Sequence, residues 1–195
     1  TWRKERAGRI QLSTEYSPCL ARPGAQLTIF AFMDYDCGFC KVLRYRLLDL
    51  VQRSSVRVCI KQYPTAIMER YPVAALATVA AQQQGSFLPM FEALYGRDGD
   101  VEEEDVIALA REMDLEVERF RKDLTSEGVR AVLLRDVTEG GRLGVRGTPT
   151  LVAGAELFTD FEVLEDWVSA LIDEKGRRAE AARARALEGR DAQAP

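Results

Sequence analysis

Residues 34–41 read DYDCGFCK, and the two cysteines in this octet, Cys37 and Cys40, lie between segments of different periodicity. Upstream, LTIFAFM (residues 27–33) is a short apolar run rich in β-branched and aromatic residues, the pattern of a buried strand. Downstream, CKVLRYRLLDLVQR (residues 40–53) sets Val42, Leu43, Leu47, Leu48 and Val51 at helical spacing, with Lys41, Arg44, Arg46 and Asp49 mostly elsewhere. The CxxC motif therefore falls where a strand turns into a helix. VRVCIKQYP (residues 56–64) reads as a second core strand closed by a proline, whose preceding residue avoids the α region. Strand, helix and strand of these lengths predict a right-handed βαβ unit with parallel strands.

Between Tyr71 and Leu143 the chain turns rich in Ala, Leu, Glu and Arg, and turn signals at QGS, GRDGD, MDL and TSEG cut it into several helices. Pro72 suits a first helical position, Ser86 can cap FLPMFEALYG, and Asp100 can cap VEEEDVIALAREM, whose acidic first turn complements the helix dipole. This predicts a helical subdomain inserted into the α/β unit. TLVAG and ELFT then read as a hairpin around Gly154 and Ala155, and FEVLEDWVSALI as a helix packing back on the sheet. The remainder, EKGRRAEAARARALEGRDAQAP, has few large apolar residues and reads as a solvated, mixed-charge helical extension that frays into a tail.

With 195 residues, 47% of them hydrophobic, the chain can bury one sizeable core, which fits one domain with an insertion. A net charge of −4 argues against a nucleic-acid partner, because such modules usually carry a strong basic excess. No apolar run approaches the roughly 18 residues that span a bilayer. The chain begins at Thr1, as a processed or trimmed form would.

A metal site needs about four ligands, usually from Cys and His in paired motifs. This sequence has no histidine, and Cys19 and Cys59 are single and far apart, so no metal is expected. A structural staple across so short a loop would remove little chain entropy. Redox chemistry explains the placement instead. Cys37 at the beginning of a helix faces unsatisfied N–H groups and the positive end of the helix dipole, both of which favour a thiolate, the attacking species in disulfide exchange. Cys40, three residues on, returns to the same face and can attack Cys37 in a mixed disulfide. Cys37 and Cys40 are thus the catalytic candidates, and no cofactor is needed. Phe32, Tyr35, Phe39 and Tyr63 could border a peptide groove; only Phe39, fixed in the motif, is expected to be exposed beside substrate.

Together, LTIFAFMDYDCGFC, IKQYP, AAQQQGSFLPMFEALY, LAREMDLEVERF and LGVRGTPTLVAG resemble the DsbA family of bacterial thioredoxin-fold oxidoreductases over residues 16–172. The resemblance implies an α/β thioredoxin fold with an inserted helical subdomain. The boundaries would be a lead-in at 1–15, a discontinuous thioredoxin domain at 16–70 and 143–173, a helical insertion at 71–142 and a charged extension at 174–195. It also implies that Pro149 is cis and lies beside the nucleophilic cysteine. A cis X–Pro bond turns the chain abruptly and leaves the preceding backbone free to pair with an extended peptide, so Thr148 and Pro149, with Gly38 and Phe39, would bind substrate.

The sequence departs from the family pattern in two places. Ala31 stands six residues before Cys37, where the family usually has a buried acid that shuttles protons for the second thiol. Lys61 matches the lysine that commonly partners that acid; its other reading is a lysine snorkelling at a strand end. Lys41 is a second candidate for charge support. Asp34 and Asp36 could substitute for the acid, although polar turn residues suffice to explain them. The Gly38-Phe39 dipeptide stands where the strong oxidases often have Pro-His, and together with Thr148 before the proline it is more like the isomerase relatives DsbC and DsbG.

The expected activity is dithiol–disulfide exchange on unfolded or misoxidised exported proteins, in the periplasm or another extracytoplasmic space, with a membrane redox partner that resets the CxxC. A disulfide donor is favoured. The alternatives are an isomerase or reductase, and a noncatalytic peptide-binding module. In a thioredoxin sheet the short strand at YSPCL would lie beside VRVCIKQ, so Cys19 and Cys59 are either a structural disulfide or two separate small apolar side chains, depending on register.

Overall fold

The computed structural model describes residues 5–6, 12–65 and 72–191. Its elements run β1 (Glu5–Arg6), β2 (Cys19–Ala21), β3 (Leu27–Met33), α1 (Gly38–Arg53), β4 (Val56–Gln62), α2 (Val73–Gln82), α3 (Phe87–Gly96), α4 (Glu103–Glu112), α5 (Val117–Leu124), α6 (Glu127–Leu143), β5 (Thr150–Ala153), β6 (Glu156–Phe158), a 3₁₀ turn (Phe161–Val163) and α7 (Leu164–Asp191). The strands form one sheet in the order β1-β6-β5-β3-β4-β2. β3 and β4 are parallel, from Leu27↔Val56 to Met33↔Gln62, while β5 lies antiparallel on the other side of β3. The central βαβ unit and the five-helix insertion between β4 and β5 give the thioredoxin fold.

Strand alternation divides the core between two faces. Ile29, Ala31, Met33, Val58, Ile60 and Leu151 share a cluster with Cys40, Leu43 and Leu47 of α1, and with Trp167 of α7. Phe158 stacks on Trp167, with ring centroids 4.3 Å apart, and fixes α7 to the end of the hairpin. The alternate residues Phe32 and Val152 pack instead with Leu143 and Val145, under the C-terminal end of α6. The insertion carries its own core, in which Ala74, Ala77, Ala80 and Ala81 of α2 let α4, α5 and α6 approach closely.

Three local readings shift. α4 starts at Glu103 rather than after Asp100, because Asp105 reaches back to the Glu102 N–H (3.0 Å) and so defines the cap two residues later. Pro72 occupies the position before α2 rather than inside it, and the Ser86 hydroxyl makes no cap bond. The charged extension is helical, as expected, continuing α7 without a break and exposed over residues 176–182. Parts of the expected lead-in (residues 1–4 and 7–11) and the last residues of the expected tail (192–195) lie outside the described residues, as do residues 66–71.

Candidate active site

The turn from β3 into α1 is built on Asp34. Its carboxylate accepts from the Asp36 N–H (3.2 Å), the Thr65 N–H (2.9 Å) and the Thr65 hydroxyl (2.9 Å), so it holds the turn and does not face the cysteines as an acid. The Asp34 carbonyl accepts from the Cys37 N–H (3.3 Å) and from the Tyr95 hydroxyl (3.1 Å), which ties the motif to α3 of the insertion. Tyr35 leaves the groove altogether. Its hydroxyl accepts from Thr78 (2.6 Å), and its ring packs on Tyr95 and Phe91.

Cys37 is the N-cap of α1, with extended backbone (φ −94°, ψ 112°), and its half-buried Sγ accepts from the Cys40 N–H at 3.3 Å. An otherwise unpaired N–H at a helix start stabilises negative charge on the sulfur it faces. Cys40 is fully buried, and burial pushes its thiol far above the ordinary range. The two sulfurs are thus unequal, one presented to the surface and one kept protonated within the apolar cluster.

The loop after α6 completes the site. The Thr148–Pro149 peptide bond is cis, and the Thr148 carbonyl accepts from the Cys37 thiol at 3.3 Å. Among the described residues the Thr148 N–H gives no hydrogen bond to a backbone carbonyl, which leaves it open to an incoming strand. Beside it runs a groove of about 660 Å³ walled by Phe39, Pro149, Leu157 and Phe161, with Arg146 and Asp160 as its charged groups. Phe39 is 78% exposed, whereas Phe32 is core. Gly38 is exposed at the helix start, and nothing lies within 4 Å of where a Cβ would be.

Neither lysine supports the cysteines. Lys41 Nζ turns to Asp98 (2.6 Å) and the Arg97 carbonyl (3.1 Å) on the loop after α3. Lys61 is fully buried and stands opposite Phe32, on the sheet face away from Cys40; its ammonium pairs with Asp136 (2.9 Å) and Glu139 (2.8 Å) of α6. Strand parity decides this, because Ala31 and Ile60 take the α1 face and the next residue of each strand must take the other. Asp136, which also accepts from the Gln62 N–H (2.9 Å), is raised to about 6, first by burial, against the pull of Lys61. Sequence reasoning missed Asp136 and Glu139, although a lysine in an apolar strand is itself a signal that a buried acid must face it. Among the described residues no cluster of three or more Cys, His, Asp or Glu could hold a metal ion, and no helix is long and apolar enough to cross a membrane.

Cys19 and Cys59 stand directly opposite each other in the β2–β4 pair and are joined as a disulfide, with a Cα–Cα distance of 4.0 Å. Register decides this pairing between the two alternatives.

Residues 13–174 match the protein-family model described as thioredoxin. Among solved structures, a thioredoxin-like oxidoreductase from Silicibacter pomeroyi DSS-3 superposes with a TM-score of 0.72 at 30% identity, covering 81% of this chain and 93% of that one. The thiol-disulfide exchange protein alpha-DsbA2 from Wolbachia pipientis gives 0.69 at 21% identity, with 80% and 87% covered, a likeness of fold. Among curated sequences, a Na(+)/H(+) antiporter NhaA of Herminiimonas arsenicoxydans is 33% identical over 128 residues, 65% of this chain and 20% of the antiporter. The chain spans about a fifth of the length of the curated relatives it matches.

Proposed function

The chain belongs to the thioredoxin family, and we propose that it catalyses thiol–disulfide exchange on proteins, with Cys37 as the exchanging sulfur and Cys40 as the resolving one. The observation that carries this reading is the Cys37 sulfur, placed at a helix N-terminus, receiving the Cys40 N–H and lying 3.3 Å from the Thr148 carbonyl beside a cis peptide bond. In the donor direction a substrate thiolate attacks Cys37 of the Cys37–Cys40 disulfide. The S–S bond breaks, a mixed disulfide forms, and Cys40 leaves and takes up a proton from solvent. A second substrate thiolate then attacks the substrate sulfur of the mixed disulfide, which releases Cys37 as a thiolate and leaves the substrate oxidised. Burial favours the protonated Cys40, so the mixed disulfide is not immediately reversed.

Substrate is an extended segment of an unfolded or misoxidised exported protein. It pairs with the Thr148 N–H and lays a side chain in the groove between Phe39 and Phe161. The Cys19–Cys59 disulfide supports an oxidising, extracytoplasmic compartment. The match to part of proteins named Na(+)/H(+) antiporters supports a place beside a membrane, where a membrane redox partner would reset the CxxC.

Trapping tests the roles. Cys40→Ser should accumulate a mixed disulfide with a disulfide-bonded substrate, because the Cys37 thiolate breaks the substrate S–S bond and no Cys40 thiol resolves the product, and Cys37→Ser should accumulate none. A wild type that reduces insulin no faster than Cys37→Ser would sink the reading. The redox state of the pair in its native cell then assigns direction, since a donor is held oxidised and an isomerase reduced.

A further inference from the structure

We propose that Tyr63 is a positioning residue for the exchange reaction, setting the reach of the substrate-binding loop 144–149 through the hydrogen bond its hydroxyl gives to the Val145 carbonyl. The inference rests on the exchange function above and names a residue that this function does not by itself require. α6 ends at Gly144 in the left-handed region (φ 86°), and the Val145 N–H donates to the Gly140 carbonyl at 2.9 Å. The Val145 carbonyl accepts from the Tyr63 hydroxyl at 3.0 Å. Both backbone groups of Val145 are therefore held, and its side chain is buried against Phe32, Leu143 and Val152. Two residues on, the Gly147 carbonyl accepts from the Thr150 hydroxyl (2.7 Å), and Thr148 follows with its carbonyl on the Cys37 sulfur. Val145 and Gly147 are the two pins of the loop, and Tyr63 holds the first.

Tyr63 is itself fixed from the other half of the site. Its N–H donates to the carbonyl of Met33, the last residue of the strand that leads into the CxxC (2.8 Å). Its ring meets Phe32 edge to face at 5.7 Å. It also packs directly on the backbone at Gly140, where a Cβ would come within 2.5 Å of Cε2 and 2.8 Å of Cδ2. Gly140 is required by this close approach, and the ring it admits sets where the hydroxyl can reach. One side chain thus spans from the strand that positions Cys37 to the loop that positions the peptide.

Tyr63→Phe keeps the ring contacts and removes only the hydroxyl. Freed at Val145, the loop should bind an extended peptide less well while the Cys37 sulfur stays in place. The test compares exchange with a cysteine-containing peptide against reduction of the Cys37–Cys40 disulfide by dithiothreitol, a small thiol that needs no loop. Peptide kcat/KM should fall about three- to ten-fold, the worth of one net intramolecular hydrogen bond, with the change mainly in KM. The dithiothreitol rate should not change. Gly140→Ala, which pushes the ring away without touching its hydroxyl, should give the same selective loss. Equal effects on both reactions, or no effect on the peptide, overturn the inference. A wild type that exchanges with neither thiol overturns the proposed function instead.

Discussion

Removing the Cys19–Cys59 bridge should cost this chain about 4 kcal/mol without unfolding it. The bridge joins residues 40 apart in sequence, and closing a loop of that length removes about 13 cal/mol/K from the unfolded chain, or roughly 4 kcal/mol at 25 °C. The folded state loses little. β2 keeps its remaining pairs with β4, Leu20↔Val58 and Ala21↔Arg57, and the Ile60 N–H still donates to the Pro18 carbonyl at 2.9 Å. The measurement is urea unfolding of the Cys37→Ser, Cys40→Ser protein with and without Cys19→Ala and Cys59→Ala, so that only one bridge is at issue. Thiol counting on the denatured, unreduced protein that retains Cys19 and Cys59 should first find no free thiol. The bridgeless protein should melt roughly 8–16 °C lower, and its m-value should rise because its unfolded chain is more expanded. A loss below about 1 kcal/mol at unchanged m would refute the reasoning, since it would mean the bridge does not constrain the unfolded chain.

Ala31→Glu should destabilise the fold by about 3 kcal/mol or more, because Ala31 is fully buried beside apolar neighbours and Lys61 faces the other side of the sheet; a neutral effect in thermal unfolding would show that Lys61 can cross to it. Asp136→Asn should remove a pH-dependent part of stability. Burial raises this carboxyl from 3.8 to about 6 between Lys61, Glu139 and the Gln62 N–H, so the folded state keeps a proton that the unfolded chain has released. Its contribution to stability therefore falls by roughly 3 kcal/mol as pH rises from about 4 to about 6, and is constant above; parallel stability profiles for wild type and variant would contradict this. Phe39→Ser should leave stability within about 0.5 kcal/mol, since the ring is 78% exposed. It should also lower peptide kcat/KM roughly ten-fold through lost apolar burial in the groove; unchanged peptide kinetics would remove Phe39 from the substrate path.

The sequence by itself determined the parts of this protein that depend on near neighbours. Apolar runs and helical spacing located β3, α1, β4 and the closing hairpin. The meeting of a strand pattern and a helix pattern at DYDCGFCK put Cys37 at the helix N-terminus, where it is found. Helix starts were less legible where several acids compete. Asp100 is the favoured residue type for a cap, yet the cap falls at Glu102, through the reach of Asp105 back to its N–H.

Tertiary structure alone decided partners and faces. A one-residue difference in parity sends Ala31 toward α1 and Lys61 toward α6. The acids Lys61 meets lie 75 or more residues away in sequence, beyond any local pattern. Register alone set Cys19 against Cys59. The Cys37–Thr148 contact spans 111 positions and exists only because β5 returns beside β3. In each case the deciding quantity is which backbone lies against which, and that is fixed only when the whole chain has packed.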